Sequence, residues 1–409
     1  MKERHVIIVG AGASGMIASI TAARNGAKVT LIEQKDRVGK KILSTGNGRC
    51  NLTNASMDSS FFRGDDISIV SSVLEQFSYE DTLHFFAELG VITKDRQGYI
   101  YPISDQASTI LDVLRMELSL LSVEVFLDET VSNITKTKHG FLVKTNQKTI
   151  QGDAVILATG GKAAPVLGSD GSGYSLAKQL GHHLSPVVPA LVQLRGKGNY
   201  FKQVSGVRVN AKVSLFIEDV FCDADTGEVQ LTDYGISGIP AFQISRYAAK
   251  ALYEKKRVQV EVDFLPTMSD VEFETFTKDR MKLHRQKSAD DFFVGMFHKK
   301  LIAMFLKQSQ IPAGKQISGL RKEQIEALLH LCKHFLVEIE STNSFEQAQI
   351  CAGGVKTSEL NPHTMESLCV EDLYLVGELL DVDGICGGYN LQWAWSTGYI
   401  AGLHAAKGK

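Results

Sequence analysis

His5-Val-Ile-Ile-Val9, followed at once by Gly10-Ala-Gly12-Ala13-Ser14-Gly15, decides the fold. The first five residues are a short β-branched run of the kind buried in parallel sheets. Gly-x-Gly-x-x-Gly alone is a weak signal, because glycine-rich turns are common. Directly after a strand, and opening a helix, it becomes a dinucleotide-binding fingerprint. The first glycine permits the turn, the second lets backbone approach a pyrophosphate, and the third allows close helix–strand packing. Negative phosphate then sits on the helix N-terminus, where unpaired N–H groups and the dipole favour it. The helix is expected over Ala13 to Asn25, with Gly26 ending it and Lys28-Val-Thr-Leu-Ile32 forming the next strand. Glu33 closes that strand where a carboxylate accepts hydrogen bonds from a ribose, with Gln34 and Lys35 beside it. The same carboxylate would repel a 2′-phosphate.

Downstream, Gly39-Lys40-Lys41-Ile-Leu-Ser44-Thr45-Gly46-Asn47-Gly48-Arg49-Cys50-Asn51 adds three more glycines and several donors. FAD is larger than the groove of one strand–helix–strand unit, so a second loop has to cover its pyrophosphate and flavin ends. Ser44, Thr45, Asn47, Arg49 and Asn51 are short or planar donors suited to phosphate and flavin oxygens. The competing reading is a polar surface loop, which favours the same residue types. A strand-rich stretch from Val123 to Ala158 contains Val131, a hairpin over Phe141–Thr145 and Lys148–Ile150, and a buried strand running into Thr159-Gly160-Gly161. Near the C-terminus the pattern recurs: a strand over Asp372–Val376, then Gly377-Glu378, then Gly387-Gly388-Tyr389-Asn390-Leu391-Gln392 opening a helix to about Ala405. Glu378 is suited to ribityl hydroxyls, and a helix N-terminus at Asn390 would aim partial positive charge at a flavin.

The chain has 409 residues, beyond the size at which a single core keeps growing. Around Pro186 and Pro189 the texture changes to long alternating strands, then to a helical block that a capping box at Ser269-x-x-Glu272 opens. From about Ala348 the parallel-strand texture returns. Residues 1–189 and 346–409 are therefore read as one discontinuous FAD-binding domain. Residues 190–266 and 310–345 are read as an inserted β-rich substrate domain, and 267–309 as a helical subdomain. A net charge of −2 creates no field that recruits nucleic acid or anionic membrane. No apolar run approaches the ~18 residues a membrane span requires. The six scattered cysteines contain no Cys-x-x-Cys pair, which excludes a zinc ribbon or redox dithiol and fits free thiols in a cytoplasmic protein.

Taken in order, these pieces resemble the BaiN/YhiN-like family of bacterial NAD(P)/FAD-dependent oxidoreductases. The resemblance spans nearly the whole chain. It rests on Lys40–Asn51, Tyr101-Pro-Ile-Ser-Asp105, Ala158-Thr-Gly-Gly161, Tyr234-Gly-Ile-Ser-Gly238, Ala352-Gly-Gly-Val355 and Gly377–Gln392. It implies an α/β fold: a glutathione-reductase-like Rossmann FAD domain with an inserted β-barrel and a helical subdomain. Cys351 and Cys386 stand where the family is expected to carry threonine, in stretches expected to face the flavin.

The expected chemistry is oxidation or reduction of a small organic molecule by hydride transfer through flavin N5. The sequence offers no second dinucleotide fingerprint, no Ser-His-Asp order and no metal-ligand cluster. NAD(P)H would therefore bind transiently at the flavin face as donor, or oxygen would be the electron acceptor. No catalytic base is named. His182 and His183 are expected at an exposed helix end, and Cys50 is either a reactive thiol beside Arg49 or a structural one. Two rival classes stand beside this reading. One is a flavoenzyme acting on RNA, for which Lys278-Asp-Arg-Met-Lys-Leu-His-Arg-Gln-Lys287 offers a basic run, although such a run is usually a solvated face. The other is a non-enzymatic flavin-binding sensor.

Overall fold

The computed structural model describes residues 3–408. The chain divides into two compact units, one of residues 1–188 with 348–409 and one of residues 189–347.

The first unit is built on five parallel strands: β1 (His5–Val9), β2 (Lys28–Ile32), β3 (Glu124–Phe126), β4 (Ala154–Leu157) and β5 (Leu373–Leu375). Their spatial order is β5-β4-β1-β2-β3, with β1 paired in parallel to both β2 and β4. Val6, Ile7, Ile8 and all of β4 are fully buried, which is why these strands read as unbroken apolar runs. Helix α1 (Ala13–Arg24) follows β1, and the C-terminal helix α2 (Tyr389–Lys407) lies against it. Close approach depends on small residues. A side chain at Gly398 or Gly402 would come within 2.4 Å of the carbonyl oxygens of Ser14 and Ala18. An antiparallel three-stranded sheet (Val131–Thr137, Gly140–Thr145, Thr149–Gly152) contains the expected hairpin.

The second unit holds a closed antiparallel barrel of six strands. In spatial order these are Leu194–Gly196, Gly235–Gly238, Val220–Leu231, Arg208–Ile217, Val258–Asp263 and Phe335–Thr342. After the helix Ile239–Tyr253, a helical block runs from Asp270–Leu283, behind the Ser269/Glu272 capping box, to Lys322–Lys333. The helical stretch thus passes beyond residue 309, and the 310–345 segment is half helix before its strand begins. A core of Val213, Leu215, Val260, Phe264, Phe305 and Val337 joins barrel and helices, so they fold as one body. Among the described residues, no helix is long and apolar enough to cross a membrane.

Candidate functional site

The turn after β1 behaves as its glycines require. Gly10 has φ +100, and a side chain there would meet the Ala158 carbonyl oxygen at 2.4 Å; one at Gly15 would meet the Gly10 oxygen at 1.9 Å. Both glycines are packing requirements. Gly12 differs, because a side chain there would meet nothing within 4 Å. It borders a cleft of about 1160 Å³, counting its open mouth. No side chain caps the N-terminus of α1 and no acidic residue sits in its first turn. Its free N–H groups and positive dipole end are left for an anion entering over Gly12.

Glu33 is buried beside this turn. Its two oxygens accept the N–H groups of Ala11 and Lys35, each at 2.9 Å. Burial raises its carboxyl above the usual range, against the pull of those two donors. On the far wall, Lys41 Nζ lies 2.6 Å from Glu378 Oε2, and Glu378 Oε1 accepts the Cys351 N–H at 3.0 Å. The Asn390 amide holds both backbone groups of Gly384 at 2.8 Å and orders the first turn of α2.

Of the residues singled out in the sequence, the cleft brings together Gly10, Gly12, Ala13, Ser14, Glu33, Gln34, Lys40, Lys41, Thr45, Val131, Thr159, Gly160, Glu378, Asn390 and Leu391. The others lie outside it. Ser44, Gly46, Asn47, Gly48 and Arg49 form an exposed loop, with left-handed backbone at Gly46, Asn47, Gly48 and Cys50. Asn51 is buried below that loop. Lys35 serves through its backbone, and Gly377 through an N–H donated to Thr397 Oγ1. Gly388 caps α2 at φ +94, and Tyr389 packs on Phe61 and Phe62. Gln392 is fully buried. Its oxygen accepts from Thr53 at 2.6 Å, and its NH2 donates to Phe77, Ser78 and Ser396, so its side chain is a structural clamp.

Sequence reasoning missed the stretch from Leu167 to Leu176, of which Leu167, Gly168, Ser169, Ser172 and Leu176 line the cleft, and also missed Arg37. A signal was present: Gly168-Ser-Asp-Gly-Ser172 repeats the pattern of a glycine turn opening a helix, here Ser172–Gln179.

Cys50 is fully buried and desolvation pushes its thiol up to about 12, as befits a packed, unreactive thiol. Cys351 is likewise pushed up to about 12 by burial and by the Glu378 charge. It lies behind the cleft wall, where its sulfur accepts the Lys162 N–H at 3.1 Å. His182 corrects the sequence reading. It is buried, bonded through Nδ1 to Glu359 at 2.9 Å and through Nε2 to Ser367 Oγ at 2.8 Å; only His183 is exposed. Ser367 Oγ already accepts two backbone N–H groups, from Cys369 and Val370, so its own proton points to Nε2. That leaves His182 neutral with its proton on Nδ1, consistent with a pKa lowered by burial. His182, Glu359 and Cys369 bring three metal-type ligand atoms within 4.8 Å of one another.

The open face at Gly12, the uncapped helix end and the buried carboxylate at Glu33 together fit an adenine dinucleotide. The glycine pieces at both ends of the unit extend that fit to FAD. The chain is 51% identical over 402 residues, 98% of each chain, to the 3-dehydro-bile acid delta(4,6)-reductase of Clostridium scindens. It is 30% identical over 413 residues, the full length of both chains, to the ribosomal RNA dihydrouridine synthase of Escherichia coli. Among solved structures it shares the fold of a flavocytochrome c3 fumarate reductase in its open conformation. There the TM-score is 0.52 at 16% identity, covering 99% of this chain and 78% of that one. The family profile of the HI0933-like protein Rossmann domain matches residues 4–404. The chain therefore belongs to the HI0933-like Rossmann family and is an FAD-dependent oxidoreductase.

Proposed function

We propose that this chain reduces carbon–carbon double bonds conjugated to a carbonyl in a rigid alicyclic acid of the bile-acid type. The observation that carries the reading is the 51% identity, end to end, with the Clostridium scindens reductase. Bound FAD supplies hydride transfer through flavin N5. The residues of the chain bind, orient and polarise. Gly12 and the start of α1 take the pyrophosphate, and Glu33 takes the adenosine ribose. Lys41 is spent on Glu378, and the first turn of α2 puts a positive helix end in the opposite wall, where it favours negative charge on what binds there. The reaction adds a hydride to the carbon β to the carbonyl, or to the δ carbon where the conjugation is extended, and a proton to the α or γ carbon. NAD(P)H is the transient donor, entering and leaving by the face the substrate then occupies.

A second reading has its own support in the 30% identity to a ribosomal RNA dihydrouridine synthase. A uracil ring double bond is also conjugated to a carbonyl, so the chemistry is shared and only the carrier differs.

The experiment is anaerobic. NADH-reduced protein is mixed with a 3-oxo-4,6-diene bile acid. Return of the flavin absorbance, with product mass increased by two hydrogens per double bond, is the expected result. Flavin that stays bleached with the acid and recovers with unmodified ribosomal RNA would replace the first reading by the second. Salt-dependent retention of that RNA would accompany such an outcome.

A further inference from the structure

The basic run at residues 278–287 finds its use in the second unit. Helices Asp270–Leu283 and Lys322–Lys333 bound a groove of about 1730 Å³, counting its mouth. Its floor is apolar, with Phe273, Met281, Ile317 and Leu329 buried and Leu320 and Ile325 partly so. Its rim is charged, with five lysines and arginines against three carboxylates.

Most of that charge is already spent. Lys278 pairs with Glu274 at 2.5 Å, Lys282 with Asp279 at 2.8 Å and Lys322 with Glu326 at 3.5 Å. Lys333, itself buried, is held by Asp263 at 2.7 Å, and Asp270 is engaged by His334 at 3.1 Å. The exception is Arg285, whose exposed guanidinium makes no ion pair or hydrogen bond among the described residues. A nucleic acid strand needs a row of unspent cations to follow its phosphates. This rim offers one free guanidinium over an apolar floor, and a guanidinium matches a carboxylate bidentately.

We propose that this groove is a ligand site for a small amphipathic monoanion, in which an apolar body lies on Phe273, Ile325 and Leu329 and a single carboxylate is held by Arg285. The inference stands independently of the substrate reading, because nothing in it uses the cofactor cleft. The apolar body is either an acyl chain or a fused ring system, and the two are distinguished by the probe.

The test is calorimetric titration of the FAD-loaded full chain with decanoate and with cholate, each beside its methyl ester. At least one acid should bind about tenfold or more tighter than its ester, the factor that a charged hydrogen bond supplies. Arg285→Ala should abolish that difference, and Ile325→Glu, which places a carboxylate in the floor, should weaken acid and ester alike. Both variants should keep wild-type flavin absorbance and melting temperature, since neither residue is in the fully buried core. Decanoate as the tighter partner identifies an acyl chain, and cholate a fused ring. Equal binding of acid and ester, no binding of either acid, or an acid preference that survives Arg285→Ala would each overturn the proposal. Arg285-dependent binding of ribosomal RNA without an acid preference would give the groove to nucleic acid. A dimer in sedimentation that Ile325→Glu dissolves, without acid binding, would give it to a second copy of the chain.

Discussion

Three glycines spaced over six residues have separable roles. Alanine at Gly12 meets open space, whereas alanine at Gly10 or Gly15 drives into backbone oxygen. Gly12→Ala should therefore leave the melting temperature of the apoprotein unchanged and weaken FAD binding, while Gly15→Ala should lower the melting temperature itself. Thermal melts with and without added FAD separate the two; a destabilised Gly12→Ala apoprotein would refute the assignment. Glu33 makes a pH-dependent prediction. Its folded pKa is raised, so its ionisation costs the apoprotein stability at pH above that raised value, a cost absent below the unfolded value. Ribose hydroxyls donate to the ionised form, so FAD affinity should fall as pH drops through the raised pKa. Glu33→Gln should flatten that dependence and weaken binding at neutral pH by roughly 1.5–3 kcal/mol. Fluorescence titration across pH reads both effects, and an unchanged affinity would remove Glu33 from the site. Among thiols, the exposed Cys222 and Cys369 should alkylate first, with Cys50, Cys332 and Cys351 protected in the native state.

At the scale of elements, the crossing of α1 and α2 joins the two ends of the chain. Glycines at 398 and 402 let the helices approach until side chain meets backbone. Gly402→Val should cost about 1–3 kcal/mol by overpacking, read as a shift in the urea midpoint at unchanged slope. A neutral substitution would mean that the helices separate without penalty. The same helix carries Gln392, whose side-chain partners the sequence does not show. A polar residue in the first turn of a glycine-opened helix reads as a ligand contact, yet this one faces inward, where Thr53, Phe77, Ser78 and Ser396 consume its amide. Thr53, Phe77 and Ser78 lie more than 300 positions away in sequence, so no local pattern announces them.

For the whole molecule, the return from the second unit to the first passes through Ser344, Glu346 and Gln347, all exposed. A glutamate-specific protease should cut the FAD-bound protein early after Glu346, and a lysine-specific one should be slow at Lys40 and Lys41, which line the cleft. Early cleavage at those lysines in the FAD-bound protein would contradict their place in the site. Electron entry is also a whole-molecule property. With one dinucleotide fingerprint in the chain, NADH and NADPH should bleach the flavin at rates within about tenfold of each other, under 1.4 kcal/mol of discrimination. A hundredfold preference in stopped-flow reduction would reveal a dedicated nicotinamide pocket.

Read alone, the sequence determined the parallel sheet, the fingerprint turn and the flavin chemistry. Each is written in local period, glycine placement or a resemblance spanning the chain, and local backbone preference acts over a few residues. Only the tertiary structure decided which polar residues face the cleft, that His182 is a buried neutral link between Glu359 and Ser367, and that residues 278–287 form a groove wall. Those outcomes depend on partners far off in the chain, and hydrogen-bond satisfaction and charge pairing are settled only when such partners meet.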